Sequence, residues 1–216
     1  MPTQPYLIDG ERVPGTTTIL SRFKESGALM WWAWDQGRQG KDFRETKQAA
    51  ADAGTIAHLM VECDIYGAPF DPSPYPAELL DKAHGAFKGY LEWKQQTQLQ
   101  VVESEVALVS RAYRYGGTLD AVAVRGSLAL LDWKTSNGVY ADYLLQLAAY
   151  GQLWNEHHPD QPLTGGFHLL RFGKPDHPDD PVSFEHRYWS DLNVAWEQFK
   201  LFRAAYDLDK RIKKLV

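Results

Sequence analysis

Leu128-Ala129-Leu130-Leu131-Asp132-Trp133-Lys134-Thr135 is an apolar run of strand length that ends abruptly in an acid, an aromatic and a base. Side chains alternate along a strand, so Asp132 and Lys134 project to one face and Trp133 to the other. Charged groups at the end of a buried strand lose hydration, and each needs compensation from the other, from a metal ion or from an anionic substrate. Taken alone, the stretch reads as an Asp–Lys pair capping a strand.

Working outward, Val101–Val109 and Tyr113–Arg125 alternate and are rich in valine, which predicts two strands before this one. The turn at Gly126-Ser127 makes the last two a hairpin, and its length decides which side chains share a face. A three-residue loop pairs Val124 with Leu128, or Arg125 with Ala129, and puts Asp120 on the face of Asp132 and Lys134. A two-residue loop puts Asp120 opposite Trp133, on the wrong side. In the first register one face carries Val122, Val124, Leu128 and Leu130, and the other Leu119, Ala121, Ala123, Ala129, Leu131 and Trp133. Both faces are apolar, so helices should cover both. The expected class is α/β, a mixed sheet flanked by helices on both sides.

Tyr140–His157 follows as a helix packing through Leu144, Leu145, Leu147, Ala148 and Leu153, with Gln146 and Tyr150 four apart on one side. Strands are expected at Gly166–Phe172 and Val182–Trp189, separated by the turn-rich Gly173–Pro181. A helix over Asp191–Lys214 carries Trp196, Phe199, Phe202 and Tyr206 on its packing side. Its terminal Lys210, Arg211, Lys213 and Lys214 suit a helix C-terminus and could also reach a phosphate backbone.

Toward the N-terminus, Pro14–Leu20 reads as a turn leading into a short helix with an N-cap at Thr17 or Thr18. Leu29–Trp34 is strongly aromatic and is followed by Arg38, Lys41, Arg44 and Lys47. Core packing is the default for these tryptophans, and a base-stacking platform beside a basic edge is the alternative. Lys47–Tyr66 has helical composition, with Gly54 marking a close backbone approach. His58 and Glu62, four apart on one face, could share a metal or bond to each other, although a lone helical histidine is usually structural. Pro69–Pro76 connects to an amphipathic helix over Ala77–Thr97.

With 216 residues, of which 44% are hydrophobic, the chain can bury one large core. We expect a single domain over 1–216: a helical part at 1–98 that carries His58, a sheet core at 99–190 and a C-terminal helix at 191–216. The net charge of −5 gives no global attraction to a polyanion, so nucleic-acid binding would need a local basic groove or bound cations. The single Cys63 cannot form an internal disulfide or a multi-thiolate site and suits a reducing compartment. No run is long and apolar enough to span a membrane, and Met1–Arg12, with Asp9 and Glu11, lacks a signal-peptide core. The expectation is a soluble, cytoplasmic protein.

Four signals stand in a fixed order: Gly54-Thr55-Ile56-Ala57-His58, Gly117-Thr118-Leu119-Asp120, Asp132-Trp133-Lys134 and Gln146-Leu147-Ala148-Ala149-Tyr150. Together they resemble the RecB-like branch of the PD-(D/E)XK nuclease superfamily, and Pro14–Leu20 and Trp32-Ala33 are similar to its N-terminal part. The resemblance runs from about Pro14 to Tyr150. It implies a restriction-endonuclease-like core and a metal-dependent DNA nuclease, an exonuclease acting in replication, recombination or repair. The cell would be bacterial or phage-infected.

By this resemblance Asp120, Asp132 and Lys134 are catalytic, and His58, Asp120, Asp132 and the backbone carbonyl of Trp133 bind one or two Mg2+ or Mn2+ ions. Hard, oxygen-ligated cations suit a reaction in which charge builds on phosphoryl oxygens, and an imidazole ligand is more typical of Mn2+ than of Mg2+. Lys134 would orient the attacking water or stabilise the charged transition state. Gln146, Tyr150 and Thr135 support the site and the nucleic-acid backbone, with Glu105 an additional metal ligand and Glu62 a supporting acid. Many relatives carry four cysteines around an iron–sulfur cluster, which one cysteine excludes here. No Gly-x-x-x-x-Gly-Lys-Ser/Thr loop is present, so no helicase motor is expected. The implied picture is a stand-alone, phage-type nuclease with DNA, and a recombination or single-strand-annealing protein, as partners. The competing readings are an inactive nucleic-acid-binding or assembly protein on the same fold and a restriction-type endonuclease.

Overall fold

The computed structural model describes residues 5–24, 27–98, 100–124, 126–136, 138–173 and 184–215. Its centre is a five-stranded sheet in the order β3-β4-β5-β6-β7, formed by Gln100–Ser110, Tyr115–Val124, Leu128–Lys134, Phe167–Phe172 and Phe184–Trp189. Strands β5 and β6 are parallel and all other neighbours antiparallel. The parallel pair needs a crossover, and helix α5 (Ala141–His157) supplies it. The fold class is therefore the expected mixed α/β.

Helices cover both faces. On one, α3 (Phe43–Tyr66) and α4 (Ala77–Thr97) bury Ile56, Met60, Tyr90 and Trp93 against Ala121, Ala129, Leu131, Trp133 and Leu170. On the other, α1 (Thr16–Phe23), α5 and α6 (Asn193–Ile212) bury Ile19, Leu147, Leu153 and Phe199 against Val122, Leu130 and Leu169. Central strand β5 is sealed on both sides, which is why its sequence is a continuous apolar run. Helix α3 has the start and stop that its ends require. The Asp42 carboxylate caps the N-terminus by accepting the Arg44 N–H at 2.7 Å, and Gly67 ends the helix in the left-handed conformation.

The hairpin has the three-residue connection, with Val124 opposite Leu128 and Ala121 opposite Leu131, which brings Asp120 alongside Asp132. Two expectations need correction. Leu119 belongs to the core on the Val122 and Leu130 side, not with Ala121, because strict alternation breaks at Asp120. The aromatic stretch is not core: it forms helix α2 (Gly27–Arg38), with Met30, Trp31 and Trp34 exposed by 64%, 64% and 56%. Of its three tryptophans Trp32 alone is half-buried, with its ring 5.2 Å from that of Phe43.

A small additional hairpin, β1 (Leu7–Ile8) with β2 (Glu11–Arg12), turns through Asp9-Gly10, both at positive φ. That dipeptide is a strong signal for such a turn. Helix α1 begins at Thr16, one or two residues before the positions expected to cap it. The turn expected at Gly173–Pro181 lies outside the described residues from position 174 on, as do Arg125 and the first two residues of the last predicted strand.

Candidate metal centre

Pairing between β4 and β5 ends at Ala121 and Leu131, and just beyond it the Asp120 side chain takes over the role of a strand partner. Its Oδ2 accepts the backbone N–H of Trp133 at 2.8 Å. On the other side of β4, Glu105 stands between the Ser104–Ala121 and Val106–Leu119 pairs, facing Asp120. Its φ of +53° is left-handed, a conformation that costs a side-chain-bearing residue roughly 1–2 kcal/mol. Helix α3 brings His58 from above. One ligand atom from each of His58, Glu105 and Asp120 lies within 4.8 Å of the other two. Two ligands of a single ion bound at ~2.1–2.4 Å stand at most ~4.2–4.8 Å apart, so the three side chains lie within the reach of one cation.

Asp132 stands just outside this triplet, wholly buried. Its Oδ2 lies 2.5 Å from Lys134 Nζ, and its carboxyl shares a hydrogen bond with that of Asp120. Lys134 in turn sits over the Tyr143 ring at 5.2 Å. Burial pushes the Asp132 carboxyl up to about 7, with Lys134 opposing the shift and Asp120 adding to it. Asp120 is raised as well, chiefly by burial, with Lys134 and the Trp133 N–H opposing. Glu105 keeps one side in solvent, yet burial and the negative charges of Asp120 and Glu62 push it up to about 7. Crowding and desolvation of this kind disfavour the charged forms, and a cation among these groups would offset that.

His58 is pushed the other way, to about 4, first by burial and then by the Lys134 charge. It is therefore a neutral imidazole at physiological pH, the form that ligates metals. A backbone hydrogen bond with Trp133 opposes that shift and favours the protonated form. The Trp133 side chain points away into the core against Tyr90, Trp93 and Phe172.

The close approach expected at Gly54 is to Thr135: a Cβ on Gly54 would come within 2.7 Å of Thr135 Oγ1. Gln146 donates its Nε2–H to the Tyr150 hydroxyl at 2.8 Å, and the buried Tyr150 hydroxyl is raised well above the ordinary tyrosine range by burial and then by Asp120 and Asp132. Gly117 makes room for that ring, since a Cβ there would stand 2.5 Å from it. A cleft of about 730 Å³ is lined by Gly54, His58, Glu62, Glu105, Lys134 and Thr135, and neither Gln146 nor Tyr150 lines it. Two further lining residues, Tyr75 and Tyr143, carried no signal in the sequence because long-range packing alone brings them there. Arg171, bonded to the Ser136 carbonyl at 3.2 Å and to Glu185 at 3.1 Å, likewise steadies the turn after Lys134.

No protein-family model matches the sequence, and no curated protein sequence is similar to it. Among solved structures, the chain is similar to a proposed exonuclease from Eubacterium rectale, at 10% identity and a TM-score of 0.47. That match covers 69% of this chain and 64% of the other, less than two thirds of its length. It is also similar to the alkaline exonuclease LHK-Exo from Laribacter hongkongensis, at 14% identity and a TM-score of 0.33, over 77% of this chain and 92% of that one. LHK-Exo in complex with dAMP gives 15% identity and a TM-score of 0.36, over 77% and 88%. At such identities and scores the site has to be read from its own residues. No helix among the described residues is long and apolar enough to cross a membrane.

Proposed function

We propose that the chain is a divalent-metal-dependent DNA nuclease of the RecB-like PD-(D/E)XK type that hydrolyses phosphodiester bonds, and that it works as an exonuclease in replication, recombination or repair. The observation that carries the reading is the meeting of His58, Glu105 and Asp120 within 4.8 Å, directly beside the buried Asp132–Lys134 pair. Two raised carboxyls and a neutral imidazole have no structural need for one another, and a hard cation satisfies all three.

In this reading His58, Glu105 and Asp120 hold Mg2+ or Mn2+ through their side chains. The Trp133 carbonyl and the Asp132 carboxylate are the next donors to hand. The ion, when bound, supplies neutralisation of phosphoryl charge and a more acidic water. Lys134 lines the cleft beside these ligands, with its ammonium aligned by Asp132 and the Tyr143 ring. There it can donate to the attacking water or to a nonbridging phosphoryl oxygen as negative charge builds. Gln146 holds the Tyr150 hydroxyl, which feels the charges of Asp120 and Asp132. Thr135 sits at the cleft wall against α3, and Glu62 adds negative potential beside Glu105.

The test is degradation of end-labelled linear and circular DNA with Mg2+ or Mn2+, by the wild type and by Lys134→Ala. Progressive shortening of linear DNA that needs both the metal and Lys134 is the expected result. Turnover that survives chelation or the substitution would overturn the mechanism, and metal binding without any turnover would leave a nucleic-acid-binding protein on this fold.

A further inference from the structure

Helix α2 presents Met30, Trp31 and Trp34 to solvent although Trp32, beside them, is packed on Phe43. The helix is thus anchored through one tryptophan while two others are left outside, against the hydrophobic effect. The Arg38 guanidinium lies over the Trp34 ring at 4.9 Å, a cation and an aromatic face displayed together. The following segment adds Lys41, Arg44 and Lys47, all exposed. Among the described residues none of these four cations forms an ion pair. Of the acids interspersed with them, Asp35 holds the Gln39 amide, Asp42 the Arg44 N–H and Asp52 the Gln48 amide, while Glu45 stands exposed in the first turn of α3.

The direction of this basic edge is set by helix periodicity. Arg44, Lys47, Ala51, Thr55 and His58 follow at steps of three and four along α3, so they form one stripe. The burial pattern agrees, since the first four of these are exposed and Ala51, Thr55 and His58 already line the cleft. From Lys47 to His58 the stripe covers ~16 Å of helix.

We propose that α2 and the first half of α3 form a binding track for a single strand of nucleic acid, with bases stacked on Trp31 and Trp34 and phosphates held by Arg38, Arg44 and Lys47 on the way to the cleft. Stacking platforms beside unpaired cations are what an unpaired strand recognises, because every base offers a π-face and every linkage a negative charge. A chain carrying −5 overall needs such a local patch to hold a polyanion at all. Where the strand leads rests on the nuclease reading; whether it binds does not.

The experiment measures binding of a short fluorescent oligothymidylate to the full chain in chelator, so that no cleavage intervenes, across a series of salt concentrations. Trp31→Ala with Trp34→Ala should weaken binding at least about tenfold and leave the salt slope unchanged, because stacking contributes ~1–3 kcal/mol per base. Arg44→Ala with Lys47→Ala should weaken binding and flatten the slope by about 1.4, two phosphate contacts at about 0.7 each for a single strand. Trp31→Phe with Trp34→Phe should recover most of the affinity. The track is refuted if either alanine pair binds like the wild type. It is refuted equally if the tryptophan pair only dissolves a self-association seen by sedimentation. Calorimetric metal binding should be the same in all variants. A wild type that binds the strand but never cleaves DNA would refute the nuclease reading and leave the track standing.

Discussion

Lys134 Nζ lies 2.5 Å from Asp132 Oδ2, with the acid wholly buried and the base nearly so. Removing one partner of such a pair leaves an uncompensated buried charge. Lys134→Met should therefore leave the Asp132 carboxyl protonated well above pH 7, in addition to removing the donor facing the cleft. We expect nuclease activity to fall by about 10²–10⁴-fold. We also expect the residual activity to shift its pH optimum upward. A pH–rate profile of the variant in Mn2+ checks both.

The raised carboxyls tie metal binding to pH. Burial and neighbouring negative charge push Glu105 and Asp132 up to about 7, so in the proposed centre each must lose its proton before it can ligate or face a cation. Affinity for Mn2+ should rise steeply from pH 6 to pH 8, with about one to two protons released per ion. Calorimetry in buffers of different ionisation heat measures that release.

The same groups predict the stability of the metal-free protein. A carboxyl with a raised folded pKa supports folding while protonated, and that support is lost as pH rises through about 7. His58, lowered to about 4, acts in the opposite sense, and its contribution is complete above its unfolded value of 6.5. Between pH 6.5 and 8 only the carboxyls count, so Tm without metal should fall across that window. Saturating Mn2+ should abolish or reverse the trend in a thermal melt.

Gly54 and Thr135 join helix α3 to the end of β5 at a distance that excludes a methyl group. Gly54→Ala should cost about 1–3 kcal/mol of stability by overpacking. Thr135→Ala removes the opposing hydroxyl, so the double variant should recover most of that loss. A double-mutant cycle in denaturant that shows no coupling would mean the helix simply slides aside.

At Trp133 backbone and side chain serve different ends, and substitutions should separate them. Trp133→Ala empties a core position between Tyr90, Trp93 and Phe172 and should cost about 3–5 kcal/mol. Trp133→Phe should fold with a smaller loss and bind Mn2+ as the wild type does, because the carbonyl stays where it is. Chemical denaturation and metal titration on the same samples give the comparison.

The elements around β5 were legible because each obeys one simple periodicity. The apolar run with its charged end and the coverage of both faces follow from side-chain alternation, which leaves the hairpin two registers that only the fold decides between. Alternation also places Asp120 and Lys134 on strands, and composition places His58 on a helix. Glu105 could only be suggested, since a left-handed residue inside a strand leaves no trace in hydrophobic patterning. Leu119 was assigned to the wrong side because alternation breaks next to the very residue the site depends on. The exposed tryptophans of α2 mislead for another reason: composition prices an aromatic residue as core, and only the fold tells whether a neighbour arrives to cover it. The Asp9-Gly10 hairpin went unpredicted, although its dipeptide favours such a turn.

The Trp133 N–H ends on the Asp120 carboxylate rather than on a neighbouring carbonyl. A peptide amide that leans on an ionisable group shares that group's fortunes. Its exchange with solvent deuterium will slow when Asp120 is drawn tight by a bound cation and quicken when Asp120 is replaced by alanine, while the amides of Leu130 and Leu131 behind it keep the protection of the sheet. One backbone position thus reports, without a dye or a substrate, whether the centre is loaded.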